Sequence, residues 1–364
     1  MTASVLNVVT GLGAGGAERM LVQLATAAQG RGMPQHVVTL GDRGLYADAL
    51  EASGVAVTAL GMTSIGTAPR ALAQLIGTLN RLSPTVVQGW MYHGNIMAAL
   101  AHRLAPGQQS RTLLWNLRAS NMDDTRYRKI LSWSARISSW PDLVIANSES
   151  GAAFHSARGY RPRHMIVIAN GVSTEEFRPN PGHRDTLRRW LGIPADAPVA
   201  IHVARVDPMK DHTTFLVAMA KIPHVYALMV GTGTGELVGP SNVRGLGLCS
   251  YMARLYSVAD IVVSSSAFGE GFSNAIAEGM SAGLVPVGTD VGDTFRIVGD
   301  TGRVVVPRDP EALAAAIAAE GARSPEERAR RGLAARARIL ENFALERAID
   351  SFMGLYDTWR PAAA

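Results

Sequence analysis

The stretch from Ile261 to Gly283, IVVSSSAFGEGFSNAIAEGMSAG, constrains the chain most. Ile261 to Val263 is a short β-branched run of the kind buried in a parallel sheet. Gly269 and Gly271 loosen the turn behind it, and Ser273 or Asn274 can cap a following helix. Strand, glycine turn and helix in this order form the repeating unit of a parallel α/β sheet.

The first turn of such a helix presents unpaired N–H groups and a positive dipole end, which together attract an anion. Glu270 lies in the turn before the helix. Glu278 lies one helical turn beyond Asn274, on the same face. A phosphate at the helix start would have an acid on each side. A nucleotide sugar suits that arrangement: amides for its diphosphate, one carboxylate for the ribose diol, another for the sugar hydroxyls. A plainer account has Glu270 complementing the helix dipole and Glu278 solvated. Glu278 is not a capping-box acid, because Ile276 stands three residues after Ser273.

The rest of the chain repeats the unit. Ser4 to Thr10 reads as a strand that runs into Gly11, Gly13, Gly15 and Gly16, then a helix from Ala17 to Gln29, then a strand from His36 to Leu40 with Asp42 after it. This opening imitates a dinucleotide fingerprint with Asp42 as the ribose acid, although its G-x-G-x-G-G spacing is irregular. The turn is a cofactor pyrophosphate site, a backbone lip facing another ligand, or a plain tight turn. Further strands are expected at 55–60, 85–88, 111–116, 142–147 and 164–169. His93 and Asn95 fall in GWMYHGN, read as the loop at the carboxyl end of the 85–88 strand, where ligands of open sheets gather. His93 is a candidate proton acceptor or a structural residue. Arg118, just past the next strand, suits an anionic group.

A second series starts at Val199, with Arg205 and Lys210 directly behind the strand 199–204. Gly231, Gly233 and Gly235 follow the strand 226–230. Strand ends in a parallel sheet share one edge, so Arg205, Lys210, this glycine turn and the Glu270–Glu278 helix can line one crevice. Two cations opposite a helix N-terminus suit a diphosphate without a metal.

Composition narrows the classes. With 364 residues and 47% hydrophobic content the chain can build two domains. Its single cysteine, Cys249, rules out an intrachain disulfide and points to a reducing compartment. The start lacks a basic leader, and no apolar run approaches a membrane span, so a cytoplasmic protein is expected. No zinc-type Cys/His spacing occurs, so no metal is expected. The net charge of +5 suits an anionic ligand, a nucleic acid or an acidic membrane. The basic residues are mostly scattered, which ranks a nucleic-acid module low. From Arg126 to Trp140, Tyr127, Ile130, Trp133, Ile137 and Trp140 recur at helical spacing between Arg126, Lys129 and Arg136. That segment is a membrane-surface helix or a helix packed on the sheet.

Several pieces together resemble the retaining glycosyltransferases of family 4. They are the acid pair in EGFSNAIAEGMSAGLVPV, the pair Arg205 and Lys210 in ARVDPMKDH, the junction NGVSTEEFRP, the opening GLGAGGAER and the tail ARILENFALERAIDSFMGLY. The resemblance implies an α/β GT-B architecture: two doubly wound Rossmann-like domains facing across a cleft, with a C-terminal helix returning to the first. The expected boundaries are 1–178 for the acceptor domain, 179–197 for a linker, 198–342 for the nucleotide-sugar domain and 343–364 for the returning helix.

It also implies roles. Arg205 and Lys210 would hold the diphosphate of a UDP- or GDP-sugar. Glu278 would bind the ribose and Glu270 the transferred sugar. Backbone amides around Gly271, Phe272, Ser273, Asn274 and Ala275 would meet the distal phosphate, with Gly231 and Gly233 nearby. Gly15 and Gly16 would approach from the other domain. The acceptor would be a glycan or lipid-linked glycan, in cell-surface or exopolysaccharide synthesis. The chain departs from the usual pattern at Asp211–His212, where a glycine commonly follows the lysine, and at Ser273 and Gly279. It also offers Arg118 or His93 where many members place a histidine. The competing reading is a dinucleotide-dependent oxidoreductase built on the first glycine turn.

Overall fold

Largely apolar runs such as VLNVV and IVVS are buried along their whole length, which requires helices on both sides of the sheet. The chain builds two such sheets. The structure, a computed structural model, describes residues 3–13, 15–119 and 124–359, and the chain divides into two units.

The first unit comprises 1–170 and 348–364. Its strands are β1 (Val5–Val9), β2 (Gln35–Thr39), β3 (Ala56–Ala59), β4 (Val86–Trp90), β5 (Thr112–Leu117), β6 (Leu143–Ala146) and β7 (Met165–Val167). They pair in parallel in the order β3-β2-β1-β4-β5-β6-β7. The order reverses between β1 and β4, paired with Val5 opposite Val86, so the unit's topological switch point lies there. The helix Gly16–Gly30 follows β1, and the helix Met91–Leu104 follows β4.

The second unit comprises 171–347. Its strands are β8 (Val199–Val203), β9 (Tyr226–Val230), β10 (Val243–Gly245), β11 (Ile261–Ser264), β12 (Val285–Thr289) and β13 (Arg303–Val305). The parallel order is β10-β9-β8-β11-β12-β13, with its switch point between β8 and β11, where Ala200 lies opposite Ile261. Ala200, Met229, Ile261, Val263, Val287 and Ile317 are buried in one core there. Fully burying a side chain of valine or isoleucine size contributes about 1.5–3 kcal/mol, so this core is a main source of the unit's stability.

The boundary between the units falls at Asn170, not after Arg178. The Phe177 carbonyl accepts from Ser281 Oγ at 2.6 Å and from Arg336 Nη1 at 3.0 Å, and Val172 bridges Ala344. These bonds tie 171–178 into the second unit. The expected linker 179–197 is likewise part of that unit. It contains the helix Pro181–Leu191, anchored by Arg184 and Arg188 on Asp260. The last helix, Leu345–Thr358, joins the first unit from Ala348 onward, where Phe352 and Tyr356 are buried.

The GWMYHGN segment is not a loop. The helix Met91–Leu104 begins directly after β4, with Met91 at φ +59°. Gly94 makes this possible, because a Cβ there would meet the Val8 carbonyl oxygen at 2.4 Å. The basic aromatic segment is the helix Asp124–Arg136, and its stripe is divided. Tyr127, Ile130 and Ile137 pack on the core, whereas Trp133 is 61% exposed and Trp140 lies beyond the helix end. The Arg126 side chain lies outside the described residues. No described helix is long and apolar enough to cross a membrane.

Candidate functional site

The second unit's switch point collects the sequence candidates. Arg205 and Lys210 follow β8; Glu270 and the helix Asn274–Ser281 follow β11, its neighbour in the sheet. Asp207 shapes the first connection: its Oδ1 accepts from the Met209 amide at 2.9 Å and its Oδ2 accepts from Arg205 Nη2 at 3.0 Å. The Pro208–Lys210 turn then ends at Asp211, whose φ of +45° is the left-handed region that a glycine would occupy at no cost. Asp211 tolerates it because its own carboxylate caps the next helix, accepting from the Thr214 amide at 3.1 Å and the Thr214 hydroxyl at 2.6 Å. This accounts for the departure from the family pattern after the lysine.

Lys210 Nζ donates to Glu270 Oε1, and Ser266 Oγ donates to the same oxygen at 2.7 Å. The carboxylate is largely buried, and burial alone would raise its pKa. The Lys210 charge, with the bonds from Lys210 and Ser266, outweighs that and holds the pKa below the ordinary value of 4.5. Glu270 is therefore an anion at neutral pH, beside an ammonium that is only 20% exposed. Arg205 stays 62% exposed, reaching out from the rim. Glu278 is buried rather than solvated, and its Oε2 accepts from Tyr256 OH at 3.2 Å. The plainer account therefore fails for Glu278, which is not solvated.

The helix Asn274–Ser281 starts without a side-chain cap from Ser273. Its first-turn amides have no partners within the helix, as in any α-helix. Phe272 is buried against Phe343, with ring centroids 5.5 Å apart, which fixes the turn carrying those amides. Gly271 is pinned from behind, where the Asp293 amide donates to its carbonyl at 2.9 Å. Gly231 has a φ of +140°, and a Cβ there would sit 2.2 Å from the Ala204 carbonyl oxygen. The β9 turn thus packs against the base of the Arg205 turn. Gly233 also has a positive φ, +86°.

Three supporting residues escaped the sequence. Ser266 and Tyr256 hold the two acids, yet each is separated from its partner by a turn or a helix with no periodic signal. Ser265 donates to the Lys210 carbonyl at 2.8 Å and bonds His202 Nε2 at 3.0 Å, bracing the lysine turn from the core.

The candidates of the first unit fare differently. Gly15 caps the helix Gly16–Gly30 at the carboxyl end of β1. Gly11 and Gly13 have no neighbour within 4 Å of an added Cβ, and neither has a positive φ. No close approach or left-handed backbone forces glycine at these two positions, whereas a Cβ at Gly15 would sit 2.1 Å from Glu18 Oε2. Asp42 is exposed beyond the end of β2. His93 is exposed in the first turn of its helix. Arg118 is not an open anion site. It is 8% exposed and donates to Asn170 Oδ1 at 2.7 Å and Asn116 Oδ1 at 3.2 Å. It also lies 5.2 Å from the rings of Trp90 and Phe352. Burial lowers its pKa to about 9. Its charge is spent on anchoring the returning helix.

Comparison with known proteins gives the family and the fold. The family model described as Glycosyltransferase Family 4 matches residues 14–176, and that described as Glycosyl transferases group 1 matches 197–319. A D-inositol 3-phosphate glycosyltransferase of Geodermatophilus obscurus is 31% identical over 244 residues, 59% of this chain and 52% of the relative. The enzyme of the same name from Mycolicibacterium smegmatis is 30% identical over 222 residues, 50% of this chain and 49% of the relative. The chain thus spans about half the length of these curated relatives. Anabaena HepE with UDP-glucose superposes with a TM-score of 0.85 at 21% identity, over 98% of this chain and 99% of that one. Sucrose-phosphate synthase of Thermosynechococcus elongatus gives 0.82 at 19%, over 98% of each. None of this supports an oxidoreductase built on the first glycine turn. The chain is a glycosyltransferase of the family 4 type with the GT-B fold.

Proposed function

We propose that the protein transfers a hexosyl group, with retention, from a nucleoside diphosphate sugar to a hydroxyl of a glycan or lipid-linked acceptor in cell-surface polysaccharide or glycolipid synthesis. The observation that carries the reading is the Lys210–Glu270 contact at the switch point, beside the start of a helix whose next turn carries buried Glu278. Lys210 and Arg205 would meet the diphosphate, helped by the amides from Gly271 to Ala275. Glu270 would accept from the sugar hydroxyls and Glu278 from the ribose diol. Gly15 and Gly16 would also serve the donor, as the family resemblance implies.

The anomeric C–O bond to the diphosphate breaks as the acceptor oxygen bonds to the same face of the anomeric carbon. The acceptor's proton passes to the departing phosphate oxygen. Charge on the leaving group is met by Lys210, Arg205 and the helix amides, so electrostatic stabilisation and positioning supply the catalysis without a metal. EDTA is expected to leave turnover unchanged. Exposed His93 is the remaining candidate on the acceptor side.

Thermal shift against UDP-, GDP- and ADP-sugars tests the reading. A ligand binding only the folded state at about 100 times its Kd adds about 2.7 kcal/mol of stability, several degrees in melting temperature. UDP-glucose is the first probe, because HepE was solved with it. No shift with any nucleotide sugar would overturn the proposal. Proton NMR of the product's anomeric signal reads the stereochemistry.

A peripheral membrane contact in the cytoplasm is part of the same proposal. Exposed Trp133, with Arg128 and Lys129 exposed beside it, is suited to an anionic surface. Liposome flotation of Trp133→Ser tests it, and unchanged flotation removes it.

A further inference from the structure

The first unit has a cavity that the transferase reading does not use. It measures about 740 Å³ and opens at the amino ends of the strands. Thr112, which begins β5, lies in its wall, as do Asp142 just before β6 and His164 just before β7. The glycine turn after β1 and His93 after β4 stand at the opposite, carboxyl edge of this parallel sheet.

Three guanidiniums line the cavity: Arg103, Arg111 and Arg163. Among the described residues, none of the three pairs with a carboxylate. Arg111 is only 8% exposed and gives Nη1 to the Pro106 carbonyl at 2.7 Å. Burial lowers its pKa, the mark of a charge taken from water without compensation. The one acid in the wall, Asp142, has its Oδ2 occupied by the Leu113 amide at 2.8 Å. A largely buried cation without a counter-ion is unfavourable, and an anion entering the cavity would offset that cost.

The aromatic walls are already set. Arg103 lies 4.9 Å from the Trp140 ring centre, and His164 meets Trp359 edge-on at 5.0 Å. The Thr112 hydroxyl donates to the Trp359 carbonyl, fixing that residue's backbone. The space exceeds what one oxyanion fills and is within the range of small-molecule sites.

We propose that this cavity is a second binding site, separate from the donor site, for a phosphate-bearing ligand whose phosphate sits among Arg103, Arg111 and Arg163 and whose body lies between Trp140 and Trp359. The phosphate belongs to a soluble metabolite or to a lipid headgroup. Guanidiniums hold phosphate by forked, charge-assisted bonds, and flat indoles accept a ring or an acyl stem.

Inorganic pyrophosphate and vesicles of phosphatidylcholine with or without phosphatidylglycerol separate the two sources. Calorimetry is run on the Lys210→Ala chain, which suppresses pyrophosphate uptake at the donor site. Pyrophosphate should bind and change tryptophan fluorescence. Arg103→Gln/Arg163→Gln, both at exposed positions that leave the core intact, should weaken it about tenfold or more. If the phosphate is a headgroup, anionic vesicles bind in preference to neutral ones even in the Trp133→Ser background, which removes the helix Asp124–Arg136 contact, and the same double variant in that background releases them. Arg70→Gln/Arg81→Gln removes equal charge at exposed positions outside both the cavity and the helix Asp124–Arg136, and should change neither result. Binding of neither probe, or equal losses in the two double variants, would overturn the site.

Discussion

Lys210→Met is expected to lower kcat by about 10²–10³ while the chain stays folded, a loss of the size seen when one preorganised donor to a developing anion is removed. Lys210 is poised for that role by its surroundings rather than by its own chemistry. Its ammonium is 20% exposed and touches Glu270, while Ser265 braces its carbonyl. Glu270→Gln keeps the shape but removes the charge that orients the lysine, and should cost a similar factor. Because the two side chains act as one unit, the double variant should lose little more than the worse single one. Losses that multiply would show that the residues serve separate steps. Near-normal rates in both single variants would end the assignment. Acid offers a second readout. Glu270's folded pKa lies below 4.5, so its ionised form stabilises the fold above that value, and the contribution fades as the pH falls below it. The stability gap between the parent and Glu270→Gln should therefore narrow in acid.

The parts of the site that the sequence showed were those carried by local chemistry. A β-branched run, two glycines and acids on either side of the helix start located the helix Asn274–Ser281 and the two carboxylates. The adjacency of β8 and β11 was harder, since it depends on the strand order. Only the rule that ligands gather at one edge of a parallel sheet joined Lys210 to Glu270. What stayed hidden was long-range pairing. Nothing in LYSVAD marks Tyr256 as the partner of Glu278, and nothing in SSS tells Ser265 from Ser266, though they serve different elements. Arg118 was misread for the same reason. A cation just past a strand looks ready for an anion until the helix carrying Phe352 covers it. His93 was misplaced in a loop because Met91 takes a positive φ without being a glycine. The domain boundary is expected late, after 178, because the Pro- and charge-rich stretch 179–197 reads as a linker, whereas carbonyls of NGVSTEEFRP already bind Arg336 and Ser281 of the second unit.

Asp260→Asn is expected to be the most destabilising of the conservative single changes considered, at about 3–5 kcal/mol, because it strips the counter-charge from buried cations. Asp260 stands just before β11 and gathers three arginines. Arg184 Nη2 lies 2.6 Å from Oδ1, Arg188 Nη2 lies 3.0 Å from Oδ2, and Arg328 Nε lies 3.7 Å from Oδ1. Arg188 and Arg328 have side chains only 2% and 5% exposed. Arg188 already has a lowered pKa, chiefly from burial, with Arg184 and Arg328 pushing it further down and Asp260 opposing them. With Asn at 260 the three guanidiniums face one another without an anion, while carbonyl bonds from Val258 and Ala195 still hold Arg188 in place. For a unit of this size each kcal/mol moves the melting temperature by about 2–4 °C, so a drop near 10 °C is expected. Arg184→Leu added to Asp260→Asn should recover part of the loss, since Arg184 is the outermost of the three at 28% exposure. Turnover measured well below the melting point should stay near the parent's, because the cluster lies at the amino end of β11 and the Lys210–Glu270 contact beyond its carboxyl end. Melting within about 2 °C of the parent would mean that solvent or chain relaxation compensates the arginines, and that Asp260 does not hold the helix Pro181–Leu191 to the sheet.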